Sequence, residues 1–409
     1  MTRNARRRHV LHGATALAVA ALLGLTACSG TDAEPSGAGS SDTDPILIGE
    51  IASLTGDYQN VGTASRAGAD YAVKVINASG GVLGRELQLD VRDDQSVAEQ
   101  AAVAFKDLAA NASVFIGPGS ANPALAVADL ADDDEIPVVS PAVTEEQINP
   151  VRDFVFQVPG LNGPSIQLAN YYEARGFKKV FVVLNAEEGG LVAGWEALKS
   201  LLDEQGVEVV DVAEVGFSTT DYAPTIAQAA QSGADVIAAF VAGPPGVAFA
   251  TQLDAADIAT PVTYLDAVAS DYFVRDGGKA VNGSIIPSPL PNVAEFLPES
   301  ELSTSISDMI AGFTEETGQA PDIFSFFGYA TVQVIAAAIE EAGSADPAAI
   351  QAALSTLSVD TVIGPIAYSD SNHAGPGAEY VSVNEVVDNQ LVPTEWSASR
   401  LTELLQAGN

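Results

Sequence analysis

The stretch that decides the fold reads ILIGEI at residues 46–51, INASGGVLGR at residues 76–85 and LQLDV at residues 87–91. The first and last runs are short and apolar, which is typical of buried strands. Between them, small and apolar residues at spacings of three and four predict one face of a helix: Val61, Ala64, Gly68, Tyr71 and Val75. Glycine adopts the left-handed C-cap conformation without strain, so the helix is expected to end at Gly80-Gly81. This unit predicts a parallel sheet covered by helices.

The same alternation of strand and helix patterns continues along the chain. Strands predicted at residues 113–117 and 137–140 extend the first run, and strands predicted at residues 180–184, 207–215 and 235–241 form a second run. Two runs predict an α/β protein with two Rossmann-like lobes, each built on a parallel sheet. The roughly 365 residues of this part are also too many for one ordinary core.

Three segments marked by proline and glycine separate the runs, at residues 158–160, 286–289 and 363–366. A single linker would join two independent domains, so three crossings predict a chain that passes back and forth between lobes, as hinge closure requires. The predicted boundaries are 46–159 plus 288–364 for lobe 1, and 160–287 plus 365–409 for lobe 2.

The N-terminus has the order of a bacterial export signal at residues 1–27, with a basic head, an apolar run and small residues before Cys28. The apolar run, Ala14 to Ala27, has 14 residues, too few to span ~30 Å of hydrocarbon as a helix. Residues 28–45 contain no large apolar residue and predict a disordered tether. The signal holds four of the 17 basic residues and none of the 54 acidic ones, so its removal lowers the net charge from −37 to −41. Such a surface repels nucleic acid.

The cleavage region, Leu25-Thr26-Ala27-Cys28 followed by Ser-Gly, resembles the lipobox of bacterial lipoproteins. That resemblance implies a diacylglycerol on Cys28, which would anchor the protein to the outer face of the cell membrane. Arg7-Arg8 also fits a loose twin-arginine pattern, so the export route stays open between the general and twin-arginine pathways.

Several segments, in this order, resemble the leucine/isoleucine/valine-binding family of periplasmic binding proteins of type I fold. The most specific is NASGGVLGR at residues 77–85, and the others lie at residues 48–56, 93–94, 115–118, 136–141, 328–330 and 362–365. The similarity extends over about residues 46–395. It implies a monomer without a cofactor, which captures a small molecule between its lobes and docks on the permease and ATPase subunits of an ABC importer.

Two strand-to-helix loops of the first lobe are candidates for a ligand carboxylate. Backbone N–H groups at such loops and helix N-termini attract anions, and Ser120 and Thr144 are candidate hydroxyl donors. In the family, the matching positions hold an amino-acid carboxylate, which adds Ala121, Ser140 and Ala142 to the predicted site. The usual hydroxyl residue of the first loop falls on Ala121 here. Helix capping by Ser120 and Thr144 is the alternative interpretation.

Asp266, at the end of a predicted strand, falls where the family carries the acid that binds the ligand's ammonium group, and Asp271 is the fallback. Tyr58 and Phe324 are candidate apolar contacts. Small residues replace two aromatic residues that are common in the family, at Gly189 and Ala242. The resemblance therefore implies a pocket of different shape, and the ligand class stays open among amino acids, amides, urea and aromatic acids.

Catalysis and metal binding find no support in the sequence. Cys28 is the only cysteine, and the only histidine outside the export signal, His373, lies in a polar stretch that predicts a solvated loop. No spacing typical of a metal site and no phosphate-binding loop is present. A ligand-sensing receptor of the same fold is the main alternative function. A sugar-binding relative is less favoured, because only two tryptophans are available.

Overall fold

The structure is a computed structural model that describes residues 44–269, 273–274 and 277–407. The predicted export signal, Cys28 and Asp271 lie outside the described residues. The strands are β1 Ile46–Ala52, β2 Leu87–Asp93, β3 Val114–Ile116, β4 Val138–Ser140, β5 Val155–Gln157, β6 Lys179–Asn185, β7 Glu208–Val215, β8 Val236–Phe240, β9 Val262–Tyr264, β10 Ile285–Pro289, β11 Ser358–Thr361, β12 Gly364–Ala367, β13 Val381–Val387 and β14 Gln390–Pro393. The helices are α1 Gln59–Ala78, α2 Ala98–Leu108, α3 Ala121–Asp134, α4 Gly163–Arg175, α5 Gly189–Glu204, α6 Ala223–Gln231, α7 Gly243–Ala255, α8 Glu301–Thr317, α9 Ile323–Ala342, α10 Pro347–Leu354 and α11 Glu395–Ala407.

Two sheets with the same strand order organise the chain. The first sheet is fully parallel in the order β2-β1-β3-β4-β5. The second repeats this order as β7-β6-β8-β9-β10 and continues with β13, which pairs antiparallel with β10, and with β14, which pairs antiparallel with β13. β11 and β12 form a separate hairpin. The predicted α/β class with two Rossmann-like lobes is confirmed, and the antiparallel edge of the second sheet is an addition to the predicted parallel sheets.

Each sheet is covered on both faces. In the first sheet, Ile48 packs toward α1 and α9, while Phe115 packs toward α2 and α3. In the second sheet, Val182 packs toward α4 and α5, while Ile237 packs toward α6 and α7. Burial on both faces explains why the strands read as continuous apolar runs instead of alternating patterns.

Close contact between α1 and α9 sets which face of α1 is buried. A Cβ at Gly68 would lie 1.9 Å from the carbonyl oxygen of Ser325, and a Cβ at Gly328 would lie 1.9 Å from that of Ser65. The fully buried residues of α1 are accordingly small ones: Gly62, Ser65, Gly68, Ala69 and Ala72. Compared with these residues, the predicted buried face of α1 is shifted by about one position. The sequence pattern selected the larger side chains, which lie at the edge of the contact with α9.

Helix α9 is long and apolar enough to cross a membrane by length and composition. Its residues Val332, Ile335 and Ile339 are instead buried in the first core, the cluster that α1 and α9 form with the first sheet. Its apolar character therefore reflects burial on most of its circumference.

The chain passes between the two sheets three times, after β5, after β10 and after β12. The first and third crossings touch through their backbones. A Cβ at Gly375 would lie 1.6 Å from the Val158 carbonyl oxygen, and a Cβ at Gly160 would lie 2.1 Å from that of Pro376. The third crossing begins late, since Ile366 and Tyr368 still pack in the first core.

His373 is not the solvated residue that its polar neighbours predict. It is 3% exposed, its ring stacks on Phe156 at 4.2 Å, and its Nδ1 lies 2.9 Å from the Val155 carbonyl oxygen. Burial lowers the pKa of this imidazole. The segment of the third crossing that contains His373 runs back along β5, and this packing buries the imidazole. The spacing of residues in the sequence does not reveal such a contact.

The α1–α9 contact leads to a stability prediction. Gly328→Ala is expected to destabilise the protein by about 1–3 kcal/mol, because the added methyl must push two packed backbones apart. Gly189→Ala is the matched control, since a Cβ at this helical glycine meets nothing within 4 Å. Urea unfolding of both variants measures the difference. Equal stability of the two variants would contradict a tight helix contact.

Candidate ligand-binding site

A cavity of about 820 Å³ opens between the carboxyl ends of the two sheets. Its walls come from loops that follow β3, β4 and β5 on one side and β6, β9 and β10 on the other, together with the third crossing. Carboxyl ends of parallel strands are the usual ligand-binding edge of such sheets. The residues that line the cavity include Ala121, Thr144, Glu146, Glu188, Asp266 and Phe327.

The loop after β3 leads into α3 with an uncapped N-terminus. Ser120 is the N-cap residue, but its side chain makes no capping bond, and its buried Oγ has no hydrogen-bond partner. Ala121 lines the cavity, whereas Ser120 lies behind it. The helix-capping interpretation of Ser120 is therefore wrong.

The side chain of Ser140 stabilises the loop that follows β4. Its Oγ accepts a hydrogen bond from the Ala142 N–H at 3.2 Å and lies 3.3 Å from the Pro118 carbonyl oxygen, to which it donates. Ser140 and Ala142 are buried and do not line the cavity. They shape the loop that presents Thr144.

Thr144 lines the cavity, and its hydroxyl already has a partner. Its Oγ1 donates to Oε2 of Glu146 at 2.8 Å, which lowers the pKa of that carboxyl group. Its backbone N–H donates to Oε1 of Gln157 at 3.2 Å. Thr144 does not cap the following turn with its side chain. The Thr144 hydroxyl, which was predicted to bind a ligand carboxylate, is thus already hydrogen-bonded to a carboxylate of the protein.

On the opposite wall, Glu188 closes the N-terminus of α5. Its two carboxylate oxygens accept from the N–H groups of Gly190 at 3.1 Å and Leu191 at 2.7 Å. A helix N-terminus is a favourable place for a negative charge. This anion site is therefore filled by the protein itself, while Gly189 leaves open space where the family commonly places an aromatic ring.

Asp266 lies at the end of β9 on the same wall, half-buried and facing the cavity. Burial raises the pKa of its carboxyl group to about 6, although the N–H groups of Asp266 and Ala267 lower it. No lysine or arginine forms an ion pair with it within the described ranges. Its negative charge therefore has no cationic partner among the residues that the structure describes.

The charged groups at the cavity all have the same sign. Among the described residues, the lining contains five carboxylates and no lysine or arginine: Glu145, Glu146, Glu188, Glu196 and Asp266. In the described part of the chain, no three His, Cys, Asp or Glu side chains gather as a metal site. The cavity therefore favours ligands with a positive charge and disfavours anions.

The structure brings Ala121, Thr144 and Asp266 together at the cavity. Besides Ser120, Ser140 and Ala142, it leaves the two predicted apolar contacts outside the lining. Tyr58 is 44% exposed and does not line the cavity, and Phe324 packs against the first core beside Phe327. Phe327, three residues further along α9, provides the aromatic contact. Which of these two rings reaches the cavity depends on the rotation of α9 about its axis, and that rotation follows from the contact with α1.

Several lining residues escaped the sequence reasoning. Glu188 follows a predicted strand, so the strand-end rule that selected Asp266 had the signal to find it. The start of α4, with Asn162 before Gly163-Pro164, was also visible as a helix N-terminus with proline in its first turn. Tyr380 carries no local signal, since the third crossing brings it to the cavity.

Comparison with known proteins agrees with this architecture. The family model described as periplasmic binding protein matches residues 45–386. The Leu/Ile/Val-binding protein BraC3 of Rhizobium johnstonii is 27% identical over 334 residues, which are 80% of this chain and 88% of that protein.

Solved structures show the same fold. A periplasmic binding protein type 1 from Bordetella pertussis Tohama I superposes with a TM-score of 0.71 at 22% identity, over 86% of this chain and 100% of that one. The branched-chain amino acid transporter substrate-binding protein LivJ from Streptococcus pneumoniae, solved with isoleucine, gives 0.68 at 19% identity, over 85% and 97%.

Members of this family are extracytoplasmic binding proteins and receptors, not enzymes. The match covers the first sheet, the second sheet except β14 and the last residue of β13, and every loop that lines the cavity. The chain belongs to the periplasmic binding protein family, in the group that includes the Leu/Ile/Val-binding proteins.

Proposed function

We propose that this protein is the lipid-anchored solute-binding subunit of an ABC importer, and that it captures an amino acid or a close amine-bearing analogue in the cavity. The observation that carries the proposal is the half-buried Asp266, which faces the cavity and has no cationic partner in the described part of the chain. An ammonium group of the ligand would supply that partner. Relatives whose names specify branched-chain amino acids support this ligand class.

The other end of the ligand would lie against the first lobe. The uncapped N-terminus of α3, at Ala121, offers N–H groups to a carboxylate or an amide oxygen. Phe327, Leu265 and Ile363 offer an apolar wall. Because Glu146 and Glu188 already occupy two other anion-binding positions, an acidic side chain on the ligand would be repelled.

Capture would proceed by rotation of the two proposed lobes, 46–159 plus 288–364 and 160–287 plus 365–409, about the three crossings. Closure would bury the ligand and form the surface that the permease recognises. The alternative function is a ligand-sensing receptor. Such a receptor closes in the same way but passes a signal to a partner protein instead of delivering the ligand to a permease.

The proposed ligand class can be tested by thermal unfolding of the mature chain with leucine, isoleucine, arginine, citrulline, aspartate, amides, urea, aromatic acids and sugars. A ligand at 100 times its Kd adds ~2.7 kcal/mol of stability. Stabilisation is expected from an amine-bearing compound and not from aspartate. Stabilisation only by sugars or only by aromatic acids would exclude the role of Asp266.

Asp266 also predicts a pH dependence. Affinity for an ammonium ligand should rise between pH 5 and 7, because the carboxyl group, with its pKa of about 6, loses its proton in this range. In the free protein, the raised pKa contributes stability at low pH that is lost between the usual value near 3.8 and about 6. Asp266→Asn should weaken binding about 10- to 100-fold and remove the rise.

Glu196→Gln is the matched control for Asp266→Asn, since Glu196 also lines the cavity but lies 3.7 Å from Lys199. Isothermal titration at each pH compares the variants. A rise that persists in Asp266→Asn would assign the titration to another group.

The anchor is tested with Cys28→Ser in the producing cell. A diacylglycerol on Cys28 predicts that the wild type enters the detergent phase in Triton X-114 partitioning, whereas the serine variant stays aqueous. Ser29→Ala is the control and should behave as the wild type. Equal partitioning of Cys28→Ser and wild type would exclude lipidation at this residue.

A further inference from the structure

A buried glutamine lies directly behind the cavity wall. Gln157, the last residue of β5, is 0% exposed and does not line the cavity. Its neighbours Thr144 and Pro159 do line it. Thr144 belongs to the loop after β4, and Pro159 belongs to the first crossing. Gln157 therefore stands where a ligand loop and a crossing meet.

The side-chain amide of Gln157 bonds to both of these segments. Its Oε1 accepts from the Thr144 N–H at 3.2 Å and from Nε2 of Gln147 at 2.7 Å, and its Nε2 donates to the Pro159 carbonyl oxygen at 2.8 Å. The Thr144 N–H can only donate and the Pro159 carbonyl can only accept, so the orientation of the amide is determined. Only a side chain with both a donor and an acceptor satisfies this position.

The backbone of Gln157 extends the connection to the third crossing. Its N–H donates to the His373 carbonyl oxygen at 2.8 Å, and its carbonyl oxygen accepts from the Tyr368 hydroxyl at 3.0 Å. The Gly375 N–H in turn donates to the Pro159 carbonyl oxygen at 3.2 Å. Pro159 thus receives bonds from Gln157 and from the third crossing at one oxygen atom.

We propose that Gln157 is a positioning residue that couples the Thr144 loop to the first and third crossings, so that ligand binding at the loop changes the equilibrium of lobe closure. The role in ligand affinity rests on the proposed function, whereas the coupling itself does not. A movement of either crossing changes the position of the Pro159 carbonyl group. The Gln157 amide, which has no other partner for its donor in the described structure, then transmits the change to Thr144.

The first test compares Gln157→Leu with Gln252→Leu in the mature chain without ligand. Gln252 makes the same pair of bonds in the second lobe, accepting from the Tyr222 N–H at 2.8 Å and donating to the Thr220 carbonyl oxygen at 2.9 Å. Hydrogen exchange should show at least about tenfold lower protection at residues 142–148 and at residues 374–378 together in Gln157→Leu. Gln252→Leu should affect only the region of Tyr222.

Gln157→Glu provides a test that a merely structural role would not pass. A protonated carboxyl group has a donor and an acceptor and reproduces the amide, whereas a carboxylate cannot donate to Pro159. Protection factors of this variant should be low at pH 9 and approach those of the wild type at pH 5. The groups facing Gln157 include His373, Tyr368 and, through Thr144, Glu146, so the wild type is measured over the same pH series.

The binding arm uses L-leucine and L-arginine as probes. Affinity of Gln157→Leu for whichever probe the wild type binds should fall about 5- to 20-fold, as for loss of one or two buried hydrogen bonds, and Gln252→Leu should keep the wild-type value. Loss of protection at residues 142–148 without any change at 374–378 would overturn the coupling. If the wild type binds neither probe, leucine and arginine are excluded as ligands, while the exchange results still decide the coupling.

Discussion

Backbone contact between the first and third crossings constrains the whole molecule. Val158 to Gly160 and Gly375 to Pro376 lie so close that neither glycine has room for a Cβ. Because the loops at the cavity emerge from strands on both sides of this contact, its geometry determines how the two walls face each other. The buried Gln157 and His373 lie at the same place, where their side chains bond to the backbone carbonyl groups of Pro159 and Val155.

The charge of the cavity is a second constraint on function. In a Leu/Ile/Val-binding relative, a carboxylate and an ammonium group both need partners. Here the carboxylates of Glu146 and Glu188 satisfy the Thr144 hydroxyl and the N-terminus of α5. The remaining features, an open α3 N-terminus and an Asp266 with no ion-pair partner among the described residues, suit a ligand that brings more positive than negative charge.

The site illustrates where reasoning from residue patterns succeeds. Ala121, Thr144 and Asp266 were predicted at strand ends, Ala121 and Asp266 with the help of the family resemblance, and all three line the cavity, because parallel strands bring their carboxyl ends to one edge. Ser120, Ser140 and Ala142, predicted at the same two loops, do not line it. Tyr58 and Phe324 were chosen as aromatic residues near the site, and neither lines it. An aromatic residue on a helix reaches a cavity only if the helix is rotated correctly, and that rotation depends on contacts with a distant segment.

By itself, the sequence determined the α/β class, the two runs of strands, the three crossings and several of the loops that line the cavity, because apolar periodicity, glycine and proline act locally. Only the tertiary structure decided which face of α1 is buried, that His373 is packed on Phe156, and that Gln157 joins a ligand loop to two crossings. These features arise where segments more than 200 residues apart in sequence, such as Gln157 and Tyr368, compete for the same space and the same hydrogen bonds.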